Sequence, residues 1–156
     1  MTHTINRTNH PITTPTGLYE ANYRRLMRLC PDVWDLASGD VFNLSATQIQ
    51  LTILEQYKYT SIVNLQQVFN SSEKNGWQQW QHLSSINMEL RVCHDACLVE
   101  IIAYQNKRPI LSAQVYPNKQ MLQIDEKRQL NIFLKEVLES ALKAESCNKA
   151  IGSSCD

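Results

Sequence analysis

The stretch DEKRQLNIFLKEVLESALKA, residues 125–144, decides the fold. Leu130, Phe133, Leu134, Val137, Leu138, Ala141 and Leu142 recur at the three- and four-residue intervals that put side chains on one helical face. Asp125 suits the N-cap, and Glu126 suits the positive end of the helix dipole. Burying the large side chains of this stripe is worth on the order of 9–18 kcal/mol gross, at ~1.5–3 kcal/mol each, and an isolated helix realises none of it. The helix therefore needs an apolar layer to lie against.

The preceding sequence supplies that layer. Ile49, Leu51 and Ile53 alternate with Gln50 and Thr52, and Tyr59, Val63, Leu65 and Phe69 fall on one face of a β-branched run. These patterns predict two neighbouring antiparallel strands joined near Gln56 to Lys58. Strand character returns at Met88, Leu90 and Val92, then at Cys97, Val99, Ile101 and Ala103. One strand over 88–104 would far exceed the usual ~5–6 residues, so a turn or bulge is expected around His94-Asp95. A last strand is expected from Ile110 to Tyr116, ended by the Pro117-Asn118 turn signal. Near the start, Tyr19, Tyr23, Leu26, Met27 and Cys30 recur at helical spacing until Pro31 stops the run. The predicted fold is α+β: an antiparallel β-sheet of about five to six strands with an N-terminal and a C-terminal helix packed on one face. Residues 1–15 read as a disordered arm, 16–144 as a single domain and 145–156 as a disordered tail. The Asn70 to Ser85 loop carries Trp77 and Trp80, either a partner-binding patch or a flap over the core.

Composition narrows the function classes. A chain of 156 residues with 43% apolar content is the size of one domain. Fifteen basic and fifteen acidic side chains cancel, so no long-range field draws in nucleic acid or an anionic membrane, and binding to either is not expected. No apolar run resembles a signal-peptide core or a membrane span, which places the protein in the cytoplasm as an expectation. The five cysteines are odd in number and scattered, unlike a disulfide framework.

Several segments carry candidate chemistry. Cys93-His94-Asp95-Ala96-Cys97 offers two thiols and an imidazole, but a structural zinc needs four ligands, usually from paired motifs, so no metal is expected; a bent strand with small apolar cysteines is favoured. His94 and Asp95 would cooperate in acid–base work only if the backbone turns there, since neighbours on a strand face opposite ways. Tyr116-Pro117-Asn118-Lys119 precedes the last helix, whose start could hold an anion with Lys119, Lys127 and Arg128 nearby. Asp125 as N-cap and Glu126 oppose that use, and a solvated, capped helix start is the simpler reading. Arg24, Arg25 and Arg28 form the one tight basic cluster and span more than one helical face, as solvated residues do. Patterns for phosphate loops, dinucleotide folds, hydrolase elbows and zinc proteases are missing, and no cofactor is expected.

These segments resemble the YqiB family of bacterial proteins. The likeness is carried by LYEANYRRLMRLCP (residues 18–31), LTILEQYKYTSIVNLQQ (51–67), MELRVCHDACLVEI (88–101) and the stretch from Tyr116 to Leu142, with HDA, YPNK and DEK-x-Q-x-N-x-FL in that order. The resemblance implies a shape, and no established activity, cofactor or catalytic residue. Position 93 is typically aromatic in similar proteins and 97 need not be Cys, which counts against a shared thiol site. The matching residues His94, Asp95, Tyr116, Asn118, Asp125, Glu126 and Lys127, with Lys119 beside them, are the candidate ligand-binding set. The reading favoured by the sequence is a non-enzymatic binding or adaptor domain, with a homodimer or a protein partner as its contact. The alternative is a small enzyme or ligand-binding protein acting on a phosphorylated metabolite or nucleotide.

Overall fold

The computed structural model describes residues 14–67, 85–105 and 125–152, with side chains to 149. The first helix, α1, spans Pro15–Leu29. Thr14 caps it, its Oγ1 accepting from the Gly17 amide at 3.1 Å. Pro15, assigned to the arm from its sequence, is instead the first helical residue, a position where its missing N–H costs nothing. A 3-10 turn, Pro31–Trp34, follows.

Among the described residues five strands follow: β1 (Val41–Leu44), β2 (Ile49–Gln56), β3 (Thr60–Gln67), β4 (Ile86–Cys93) and β5 (Leu98–Tyr104). Each pairs antiparallel with the next, so the sheet is a meander in the order β1-β2-β3-β4-β5. The expected joints near Gln56–Lys58 and at His94-Asp95 are both turns. Tyr59 lies in the first of them, exposed, where alternation had placed it on the core face. The strand expected at Ile110 to Tyr116, together with Phe69, Trp77 and Trp80, lies outside the described residues.

The last helix, α2, spans Glu126–Gly152. It therefore continues beyond Ala144, through the stretch taken from sequence as tail. Residues 145–151 contain no Gly or Pro to stop it, and Glu145 is tied down by accepting from the Ala46 amide at 3.1 Å.

Period-2 alternation sends Ile53, Val63, Leu90 and Ile101 to one face in a single cross-strand row, with Leu51, Leu65 and Met88 in the next. These seven side chains are at most 1% exposed. They join Leu26 and Leu29 of α1 and Leu134, Val137, Leu138 and Ala141 of α2 in one core. Where α1, α2 and β5 meet, the apolar packing is interrupted by two buried asparagines. Asn131 accepts from the Ile101 amide at 3.2 Å and donates to Lys127 O at 2.8 Å, while Asn22 donates to Asn131 O at 3.0 Å.

Candidate functional site

One end of the inner sheet face turns polar. Beyond the row containing Ile53, a bulge at Leu54 shifts the register so that Gln56 pairs with Ser61, and Ser61 with Val92. His94 comes two residues after Val92 and points the same way, into the space beside Ser61. Its ring is buried, 3% exposed, and Nε2 lies 2.7 Å from Ser61 Oγ.

Hydrogen bonding sets the imidazole tautomer. The Gln56 amide nitrogen donates to the Trp34 carbonyl at 3.0 Å, which leaves Gln56 Oε1 to accept from Ser61 Oγ at 2.7 Å. Ser61 has one hydroxyl proton, and Gln56 takes it. The bond between Ser61 and His94 therefore uses a proton on Nε2, and Nδ1 carries a bare lone pair. That Nδ1 is buried without a hydrogen-bond partner.

Aromatic rings enclose the imidazole. Trp34 stacks on it with centroids 4.6 Å apart and planes 14° from parallel, and Tyr23 meets it edge-on at 6.2 Å. Burial pushes the His94 pKa down, against an opposing pull from Asp95, so the ring is held toward its neutral form. Asp95 is exposed, and its Oδ1 accepts from the Ala96 amide at 2.9 Å. The backbone does turn at this pair, but the carboxylate serves the turn and the imidazole serves Ser61.

The neighbouring thiols are not activated. Burial raises the pKa of Cys30 and of Cys93, keeping both protonated and weakly nucleophilic near neutral pH. Among the described residues no group of three His, Cys, Asp or Glu side chains is placed to hold a metal ion.

Lys127 is the main correction to the sequence reading. The sequence groups it with Lys119 and Arg128 as a solvated or anion-holding helix start. Instead it is 8% exposed, and its Nζ donates to Glu100 Oε2 at 2.6 Å. Glu100 also accepts from Arg91, whose Nε lies 2.7 Å from Oε1. The Lys127 charge is thus met within the fold by Glu100. Asp125 and Arg128 are exposed at the helix start, and Glu126 is half-buried. Tyr116, Asn118 and Lys119 lie outside the described residues. Tyr19 and Tyr23, one turn apart on α1, bring the two centres together: Lys127 Nζ sits 6.0 Å from the Tyr19 ring centroid, and His94 meets Tyr23.

Sequence reasoning missed Trp34. It lies on a 3-10 turn that no periodicity marks, and 60 residues separate it from His94 along the chain. Its ring is 45% exposed although stacked on a buried group. Tyr57 and Tyr59, in the β2–β3 turn, are exposed as well, and the Tyr59 carbonyl accepts from the His94 amide at 2.9 Å. Sequence also read Arg25 as solvated, whereas it is largely buried against α2 and bonds Glu139 at 2.7 Å.

The architecture defined by these elements is an α+β meander with two helices over one face and a buried histidine at its polar end. The chain belongs to the family described as "Protein of unknown function (DUF1249)", whose profile matches residues 25–147. It is similar to the "Uncharacterized protein YqiB" of Escherichia coli K12, with 32% identity over 127 residues, covering 80% of this chain and 84% of the relative. The same protein of Escherichia coli O157:H7 matches with the same identity and coverage. No solved structure matches significantly. Among the described residues no helix is long and apolar enough to cross a membrane.

Proposed function

We propose that this chain is a non-enzymatic binding domain of the cytoplasm, and that it receives an apolar patch of a partner protein at the exposed Trp34, on the end of the sheet where the β2–β3 turn carries Tyr57 and Tyr59. The supporting observation is the state of Trp34. Its indole is nearly half exposed, yet it rests on the His94 ring and its carbonyl accepts from Gln56. Large aromatic side chains held in place before binding lose little conformational freedom on contact, and Trp and Tyr dominate the binding energy of protein interfaces. Acid–base catalysis is a poorer account of the same residues. His94 Nε2–H is engaged by Ser61 and its ring is covered, while Lys127 is neutralised by Glu100.

A photo-crosslinking residue at position 57 tests the reading in cells, with position 136 on the exposed side of α2 as the control. A discrete protein adduct is expected at 57 and none at 136. Tyr59→Ser and Trp34→Ser should each diminish it. Equal labelling at both positions, or an adduct indifferent to both substitutions, would overturn the proposal.

A further inference from the structure

α1 and α2 lie side by side, with Asn22 beside Asn131 and Arg25 beside Glu139. Next to that ion pair a cleft of about 710 Å³ opens between the helices, lined by Arg25, Arg28, Leu142 and Lys143. Through Arg28 and Leu142 it adjoins a second hollow of about 420 Å³, where Leu29 and Phe42 form an apolar wall beside β1. The first hollow is shallow and open to the surface.

The charges in the first cleft do not balance. Arg25, Arg28 and Lys143 face one carboxylate, Glu139, a surplus of two positive charges. Arg25 uses Nη2 on Glu139, and its Nη1 is buried without a hydrogen-bond partner. Arg28 and Lys143 have no ion pair among the described residues.

We propose that this cleft binds an organic phosphate monoester, its phosphate held by the exposed Arg28 and Lys143 beside the Arg25–Glu139 pair and its apolar body lying along Leu142, Leu29 and Phe42. A phosphate monoester carries about −1.5 to −2 at neutral pH, which meets the two-charge surplus, whereas a carboxylate leaves one cation unmatched. Its oxygens also suit the forked donors of arginine. The apolar wall favours a ligand with a body over free inorganic phosphate.

The test is a titration of the full chain with phenyl phosphate at low salt, followed by amide chemical-shift mapping, with inorganic phosphate and phenylacetate as comparisons. Saturable shifts centred on Arg28, Leu142 and Lys143 are expected, with phenyl phosphate about tenfold tighter than either comparison. The Arg28→Gln/Lys143→Gln double variant changes two exposed side chains and should keep the fold while weakening binding about tenfold. Absence of saturable shifts, shifts mapping elsewhere, unchanged affinity in the double variant, or equal affinity for inorganic phosphate would each overturn the assignment.

Discussion

Asn131 Oδ1 lies 3.2 Å from the amide nitrogen of Ile101 and accepts its hydrogen, so a helix side chain stands where the carbonyl of a further strand would stand. The same amide group donates back to Lys127 O, and Asn22 holds the Asn131 carbonyl. This buried knot ties α1, α2 and β5 into one unit. Asn131→Ala removes the acceptor of a buried N–H together with the donor to Lys127. It should cost roughly 2–3 kcal/mol, read as a lowered urea midpoint. A loss under about 0.5 kcal/mol would show that the knot is dispensable.

Stability should fall when the pH drops below the ordinary histidine value. Burial holds the His94 pKa under 6.5, with Asp95 opposing. The unfolded chain takes up a proton near 6.5 while the folded chain resists until a lower pH, so unfolding is favoured progressively across that interval and no further below it. Urea midpoints between about pH 7.5 and 5 should decline in the wild type and decline less in His94→Gln. Parallel profiles would contradict the covered imidazole.

Glu100 sets the acid limb. Burial raises its pKa, but the hydrogen bonds from Lys127 and Arg91 outweigh burial and leave it below 4.5. Its stabilisation is present in full above 4.5 and disappears as the pH falls through the lower folded-state value. Glu100→Gln strands the enclosed Lys127 charge and should cost about 2 kcal/mol at neutral pH. The difference from wild type should shrink as the pH falls progressively below 4.5. An undiminished difference there would mean that the loss is one of packing.

Two hairpin turns close on residues with left-handed backbone, Gln48 at φ 56° and Cys97 at φ 55°. This region costs a residue with a Cβ roughly 1–2 kcal/mol. Gln48→Gly, at an exposed position, should therefore raise stability by about 1 kcal/mol. Cys97→Gly should gain less, because the Cys97 side chain packs on the core and its Sγ donates to His94 O at 3.4 Å. Equal gains would mean that this packing contributes nothing.

The fold was legible where burial writes a period into the chain. The α2 stripe and the alternation through β2 to β5 carry it, and the turn at His94-Asp95 follows from strand length alone. β1 was not legible, because a strand of four residues at a sheet edge buries little, and its Val41 is exposed. The site was less visible than the fold. Lysine reads as solvated until a Glu100 placed 27 residues earlier encloses it. The link between Arg25 and Glu139 spans 114 residues and leaves no local trace. His94 was singled out by sequence, but its partners Ser61, Gln56 and Trp34 come from three other segments that only the bulge at Leu54 brings into line.

The brevity of β1 bears on how these molecules behave when crowded. Four residues at ~3.4 Å each present about 14 Å of ladder to a neighbour. Chains that collide along that strand share too few bonds to stay joined, and on β5, the last of the described strands, the Ile101 donor is already occupied by Asn131. Among the described strands, fibre growth by pairing along β1 is thereby discouraged by scarcity of pairing groups.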